Sequence, residues 1–105
     1  PVLVTFKVLP GKKQEMIDLL NTPDGLQTTR EYDGCLSLEA FFNDQTNTYY
    51  VYEDWASIEH YQKYLDWRFN NDESKLAFKV MELCEGGQDG LIPIFPNTDY
   101  SSFSK

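Results

Sequence analysis

The residues best suited to chemistry lie in one stretch, from Tyr49 to Phe69, which holds eight of the chain's sixteen aromatic residues and its only histidine. An imidazole titrates near neutral pH, so His60 is a candidate general base that could remove the proton of a phenol. It lies beside the apolar stripe of its helix and not on it, so an exposed or capping position is the plainer alternative.

Two more residues of this stretch are candidate catalytic groups. A buried hydroxyl such as that of Tyr64 can orient a substrate oxygen or relay its proton, and a cation such as Arg68 beside an aromatic ring can stabilise a phenolate. The rings expected to bind the substrate are Tyr50, Tyr52, Trp55, Tyr61, Trp67 and Phe69. The alternatives are that the phenols only fill the core and that Arg68 is a surface residue paired with Asp66 or Asp72.

Two carboxylates, Glu39 and Glu53, lie in the middle of neighbouring predicted strands. If they are in register they could form an acid–base pair. The plainer alternatives are that they pair with Lys7 or Arg30, or face solvent or a second subunit. The sequence leaves these alternatives open.

Length and charge restrict the kind of protein. At 105 residues, the chain is expected to form one domain over residues 1–95 and a polar C-terminal tail over residues 96–105. Nine basic residues against 17 acidic ones give a net charge of −8, which argues against nucleic acid or an anionic membrane as a partner. No apolar run approaches the roughly 18 residues that a membrane-spanning helix needs.

The two cysteines, Cys35 and Cys84, show no CxxC spacing and no accompanying pair of histidines. We therefore expect no structural zinc site, no other metal site and no disulfide framework. A reducing, cytoplasmic location fits this pattern best.

The apolar periodicity predicts the order β-α-β-β-α(α)-β. The first helix is expected to break near Pro23 and to resume through Thr29 or Arg30, because Thr22-Pro23 has the form of a new helix start. Ser57 is the expected N-cap of the next helix, and Asp72 or Ser74 that of a further one. The predicted strands are Val2–Leu9, Cys35–Phe42, Tyr49–Asp54 and Leu91–Phe95.

This order is typical of a ferredoxin-like α+β fold, in which helices cover one face of an antiparallel four-stranded sheet. The strands carry Val, Leu, Phe and Tyr on both alternations, so the open face of the sheet must also be covered. We predict a homodimer.

Four features together resemble the antibiotic biosynthesis monooxygenase (ABM) family of dimeric α/β-barrel proteins. Pro10-Gly11 joins the first strand to a helix, and Asp33-Gly34-Cys35 opens the second strand. The next strand ends in the letters YEDW, and Trp55–Glu59 leads into a helix that carries Tyr64 where many relatives have histidine. The resemblance covers about residues 2–69.

The resemblance implies the fold, the dimer and a cavity between sheet and helices in each subunit. Members of the family include oxygenases that oxidise phenolic or quinol substrates without metal or flavin, and others that degrade haem or isomerise small sugars. We therefore expect a monooxygenase that needs no cofactor and acts on a small aromatic molecule. Haem degradation is not expected, because Val4, Tyr64 and Ser74 stand where the haem-degrading branch has Asn, Trp and the axial His.

Two rival functions remain. A strand after Pro1 and a lysine-rich helix start are similar to tautomerases that use an N-terminal proline amine as base. The other rival is a dimer without catalysis, which binds a small aromatic or lipid-like molecule or regulates a neighbouring protein.

Overall fold

The described residues form four strands and four helices, with a π-helical turn after the first helix. The computed structural model describes residues 1–86 and, for the backbone alone, residues 91–94. The elements are β1 Val2–Lys7, α1 Lys13–Leu20, the π-helical turn Pro23–Gln27, α2 Thr28–Glu31, β2 Cys35–Asn43, β3 Thr48–Trp55, α3 Ile58–Asn70, α4 Leu76–Glu82 and β4 Leu91–Ile94. The predicted C-terminal tail lies outside the described residues.

The strands form one sheet in the order β2-β3-β1-β4, and every neighbouring pair is antiparallel. This is the split β-α-β arrangement of ferredoxin-like proteins, so the predicted α+β class with an antiparallel sheet is confirmed. Strand β4 lies at an edge beside β1, where Pro93 aligns with Val4. An edge tolerates proline because one side of the strand has no ladder partner.

The core lies between one face of the sheet and the helices, and we call that face the inner face. It is formed by alternate residues of β1 and β3, as strand periodicity requires. Each fully buried aliphatic side chain contributes about 1.5–3 kcal/mol relative to exposure. The buried apolar residues include Val2, Val4, Phe6, Tyr49, Val51 and Trp55 of the sheet, and Met16, Leu20, Tyr61, Tyr64, Leu76 and Val80 of the helices.

The break after α1 falls at the predicted place. Helix α1 ends at Leu20 and the π-helical turn begins at Pro23, whose missing N–H suits the start of a helix. Gly25 inside the turn has ψ −128°, and a Cβ atom there would lie 2.2 Å from the carbonyl oxygen of Leu20. Glycine is thus needed for the turn to lie against the end of α1.

Helix α4 does not begin with the predicted cap. It follows Lys75, which has a left-handed backbone conformation (φ 59°, ψ 29°) and provides no side-chain cap. Asp72 instead accepts hydrogen bonds from the backbone and side chain of Ser74 and from Arg68. The prediction of Asp72 or Ser74 as N-cap was wrong because both side chains are engaged in the turn before the helix.

The opposite face of the sheet, the outer face, has no covering element among the described residues. Phe41 of β2 is 55% exposed and Tyr52 of β3 is 41% exposed. The ring of Phe41 stacks on that of Tyr50, with centroids 5.1 Å apart. Leu36, near the start of β2, is 66% exposed. The homodimer that would cover this face stays a prediction.

Two further expectations, that the cysteines form no disulfide framework and that no helix spans a membrane, can be compared with the described part of the chain. Cys35 and Cys84 are both free thiols. Among the described residues, no helix combines the length and the hydropathy needed to cross a membrane.

Candidate functional site

A cavity of about 60 Å³ lies between the inner face of the sheet and the helices. Strands β1 and β3 form its floor, and α1, the π-helical turn, α2, α3 and α4 form its walls. Most of its lining is aliphatic. Polar atoms come from Thr29, Glu53, Tyr61, Tyr64 and Arg68.

Glu53 places a carboxyl group in this apolar cavity. Its side chain is 5% exposed because Glu53 shares the inner face of β3 with Val51 and Trp55. The indole Nε1–H of Trp55 donates to its Oε1 at 2.9 Å. Burial raises the pKa of Glu53 to about 7, although the Trp55 hydrogen bond and the charge of Arg68 both favour the ionised form. The group therefore exchanges its proton near neutral pH.

Glu53 and Glu39 do not form a pair. Across the β2–β3 ladder, Glu53 is opposite Leu38, and Glu39 is opposite Tyr52. Neighbouring residues of a strand point to opposite faces, so Glu39 is exposed on the outer face. The acid–base pair, one of the alternatives that the sequence left open, does not form because the two residues are one position out of register.

Arg68 is the most highly connected side chain of the site. It is 3% exposed, so the alternative of a surface arginine is wrong, although its pairing with Asp72 is found. A guanidinium has five N–H groups, and all five have acceptors. The acceptors are the Tyr64 hydroxyl (2.8 Å), the Asp24 carbonyl (2.9 Å), Asp72 Oδ2 (2.8 Å), the Gly25 carbonyl (3.0 Å) and Thr29 Oγ1 (3.0 Å).

This cluster joins three parts of the chain. One guanidinium holds the carbonyl groups of the π-helical turn, the hydroxyl of α2 and the carboxylate after α3. Burial acts to raise the pKa of Asp72, but hydrogen bonds from Ser74 and Arg68 outweigh it, so the pKa lies below its ordinary value. The charge of Arg68 is therefore balanced by Asp72 within the wall of the cavity.

The two tyrosines of α3 reach the cavity in different ways. The Tyr64 hydroxyl lies 2.6 Å from Thr29 Oγ1 and accepts from Arg68 Nε. Burial raises the pKa of Tyr64, against the charge of Arg68 and two hydrogen bonds. Burial also raises the pKa of Tyr61, and nearby Glu53 adds to the shift. Both phenols therefore keep their protons at neutral pH.

Of the nine predicted site residues, four line the cavity: Tyr61, Tyr64, Arg68 and Phe69. Trp55 and Trp67 lie behind this lining. Trp55 packs 5.1 Å from Tyr64 between ring centroids, and Trp67 packs 5.4 Å from Tyr32.

Three of the nine do not reach the cavity wall. Tyr50 and Tyr52 lie on the outer face, because it is the alternation of Tyr49 that meets the helices. The backbone N–H of His60 donates to the N-cap Ser57, and its ring nitrogen Nδ1 lies 2.6 Å from the same hydroxyl. A Cβ atom on Gly34 would lie 2.5 Å from the His60 ring, so this histidine packs the start of α3 onto the loop before β2.

Sequence reasoning missed Glu53 and Thr29 as lining residues. The signal for Glu53 was present: an acidic residue interrupts the apolar alternation Tyr49, Val51, Trp55. Thr29 gave no such signal, because its importance comes from Arg68, which is 39 positions away in the chain.

The tautomerase alternative receives no support from the geometry. The nitrogen of Pro1 lies 3.7 Å from Asp54 Oδ1 and outside the cavity lining. In the described part of the chain, no group of three or more His, Cys, Asp and Glu side chains is arranged to hold a metal ion.

Comparison with known proteins places these features in context. The family model described as antibiotic biosynthesis monooxygenase matches residues 2–67. A comparison with curated protein sequences finds no match.

Solved structures with the same fold include a monooxygenase from the gene ActVA-Orf6 of Streptomyces coelicolor in complex with nanaomycin D. It has a TM-score of 0.68 and 20% identity, over 99% of this chain and 90% of that one. A conserved protein from Methanosarcina mazei Go1 has a TM-score of 0.69 and 14% identity, over 89% and 85% of the two chains. Rv0793 from Mycobacterium tuberculosis has a TM-score of 0.65 and 18% identity, over 95% and 96%. Likeness at this level of identity shows the fold.

The titration of Glu53 predicts how stability depends on pH. Between the ordinary pKa of 4.5 and the folded pKa of about 7, the native state binds a proton that the unfolded state has lost. The free energy of unfolding should therefore fall as the pH rises through this window, by about 3 kcal/mol for this group. Urea denaturation at about pH 5 and about pH 8 should give a larger loss for wild type than for Glu53→Gln. Equal losses in the two proteins would contradict the assignment.

The Arg68 cluster predicts a large cost for losing its counterion. Asp72→Ala leaves a charged guanidinium buried without compensation, so we expect a loss of about 3–5 kcal/mol in the free energy of unfolding. Glu73→Ala is the matched control, because it removes the neighbouring exposed carboxylate. Urea denaturation of both variants measures the difference. A loss in Asp72→Ala no greater than in the control would show that the ion pair is not structural.

Proposed function

This chain belongs to the antibiotic biosynthesis monooxygenase family, whose model matches residues 2–67, and we propose that it is a monooxygenase that acts on a small phenolic or quinol-type aromatic substrate without metal or flavin. The observation that carries the proposal is the apolar cavity between the sheet and the helices, whose mostly aliphatic lining includes the rings of Tyr61, Tyr64 and Phe69. Such a lining binds an uncharged ring and keeps water away from it.

The proposed reaction balances without an external reductant. The substrate hydroxyl loses its proton, and the electron-rich phenolate reacts with dioxygen at a ring carbon. One oxygen atom stays on that carbon, which becomes a quinone carbonyl, and the other leaves as water with the ring hydrogen and the hydroxyl proton. The substrate provides all the electrons, so a monohydric phenol becomes a quinone and a dihydroxynaphthalene becomes a hydroxynaphthoquinone.

The lining suggests how a ring would be held. Tyr61 and Tyr64 present buried aromatic surface at one wall, and the half-buried Phe69 lies where the lining meets solvent. Arg68 has no N–H left for a substrate anion, so its part in this proposal is to fix the hydroxyl of Tyr64 and the wall behind it. His60 is assigned the packing of α3 and no step of the reaction.

Entry of a ring requires the cavity to widen. Its volume of about 60 Å³ is smaller than the roughly 150 Å³ of a cavity that accommodates benzene. Helix α4 is the wall best suited to move, because it has only seven residues and begins without a side-chain cap. Its Phe78 meets Phe69 edge to face, with ring centroids 5.7 Å apart. An outward shift of α4 would separate these rings and enlarge the cavity.

We also propose that the protein is a homodimer formed through the outer face of the sheet. Phe41, Tyr50 and Tyr52 give this face a row of rings that a monomer would leave in water. Covering it with the same face of a second copy also suits twofold symmetry, in which one patch meets itself.

We also propose a cytoplasmic location for the protein, with which its two free thiols, Cys35 and Cys84, are compatible.

A binding protein without catalysis is the second candidate. The apolar lining of the cavity supports it equally, since binding a ring needs this lining but no reaction with dioxygen. The two candidates differ in whether dioxygen is consumed.

The monooxygenase proposal predicts oxygen uptake with no added cofactor. A dihydroxynaphthalene or an anthrone should cause stoichiometric loss of dioxygen, and heavy-isotope dioxygen should label the product at one oxygen atom. Heat-denatured protein is the control for autoxidation. A protein whose melting temperature rises with these compounds, but which consumes no oxygen above the control, would be a binding protein.

The dimer proposal predicts that a charge on the outer face separates the subunits. Phe41→Asp should sediment as a monomer at concentrations where wild type is a dimer, because burying an unpaired carboxylate is costly. Ile58→Asp is the control, since Ile58 is also largely exposed but lies on the helical side of the domain. Dimerisation of both variants, or of neither, would contradict the proposed surface.

A further inference from the structure

We propose that Glu53 is the residue that removes the hydroxyl proton of the aromatic substrate, and that the cavity therefore selects neutral phenols over aromatic acids. This inference rests on the function proposed above. Glu53 is the one carboxylate among the residues that line the cavity, all of which lie in the described part of the chain. Glu53 lies on the floor of the cavity, two residues before the end of β3, so a ring that enters the widened cavity would lie above it.

The other polar groups that face Glu53 cannot accept this proton. The Tyr61 and Tyr64 hydroxyls keep their own protons, because burial raises the pKa of both. Arg68 is a cation whose five N–H groups are all used. Thr29 is a neutral hydroxyl in the same cluster. Among the described residues that line the cavity, the carboxyl group of Glu53 is thus the only base.

The carboxyl group is also held in place. The indole Nε1–H of Trp55, two residues further along the same strand face, donates to Oε1 at 2.9 Å. The Trp55 ring is itself fixed between aromatic neighbours, with centroid distances of 5.4 Å to Tyr61 and 5.1 Å to Tyr64. A base fixed by its neighbours reaches the substrate hydroxyl with little reorganisation.

Transfer of the proton from the substrate to Glu53 leaves the net charge of the cavity unchanged. Before transfer the cavity holds one negative charge on Glu53, and after transfer it holds one on the phenolate. The substrate O–H bond breaks and a Glu53 O–H bond forms, so no additional charge is buried. When dioxygen has reacted, the protonated carboxyl group returns its proton to the oxygen atom that leaves as water.

The same arrangement excludes aromatic acids. A substrate carboxylate would bring a second negative charge into the cavity beside Glu53, and Arg68 has no N–H free to bind it. Burying such a charge without a partner costs several kcal/mol. A neutral phenol, by contrast, brings no second charge and offers an O–H donor to the Glu53 carboxylate.

The test measures binding and needs no turnover. Phenol and its methyl ether, anisole, are titrated at about pH 8 into wild type, Glu53→Gln and the control Glu73→Gln, whose carboxylate is exposed. A hydrogen bond to a charged group corresponds to a preference of about 10-fold or more for phenol. We expect this preference in wild type and Glu73→Gln, and at most a few-fold preference in Glu53→Gln.

A second measurement uses wild type alone, in case Glu53→Gln does not fold. The preference for phenol over anisole should fall as the pH is lowered through about 7, because protonation removes the charged acceptor. No preference for phenol in wild type, a preference independent of pH, or an unchanged preference in Glu53→Gln would each overturn the proposal.

The outcomes also separate this inference from the proposed function. A phenol preference that depends on Glu53, in a protein that consumes no oxygen, would retain the binding role and reject the monooxygenase. Oxygen consumption that is undiminished in Glu53→Gln would retain the monooxygenase and reject Glu53 as its base.

Discussion

Burying one guanidinium organises this molecule. A charged Arg68 inside the core is tolerable only if each of its N–H groups finds an acceptor, and the acceptors come from the π-helical turn, α2, α3 and the turn after it. That requirement fixes the break after α1, where Gly25 lets the chain approach Leu20 closely. It also occupies the Tyr64 hydroxyl. The part of the cavity wall that contains Arg68 therefore has no net charge, and its hydrogen bonds hold it in place.

The burial of Arg68 has a second consequence, which is that charge is distributed unevenly inside the cavity. With Arg68 balanced by Asp72, Glu53 stands among mostly apolar side chains and accepts a hydrogen bond from Trp55 at Oε1. A carboxylate in such a place is less stable than in water, and it gains from any neutral donor that enters. The cavity thus contains two kinds of charged group. The Arg68–Asp72 ion pair is structural, whereas the single carboxyl group of Glu53 can gain or lose a proton, and the rings of α3 lie between them.

Local sequence patterns were sufficient for most of the fold. Three of these patterns act over only a few residues. The alternation of apolar residues predicted β1, the proline after Thr22 predicted the new helical start, and Ser57 predicted the N-cap of α3. The faces of β3 were harder, because both alternations are aromatic or apolar. Only the packing of the helices decides that Tyr49 points inward and Tyr50 outward. The place of Arg68 could not be read from its neighbours, since its carbonyl acceptors lie 43 and 44 positions away.

The strand order has a consequence for how the chain folds. Strands β2 and β3 meet through a tight connection, with Asn43 opposite Thr48, so this hairpin closes a short loop and can form early. Strand β1 must join it across α1 and α2, and its pairing of Phe6 with Leu91 closes most of the chain. The cavity needs walls from both halves. We expect the site to be the last part of the molecule to become ordered during folding.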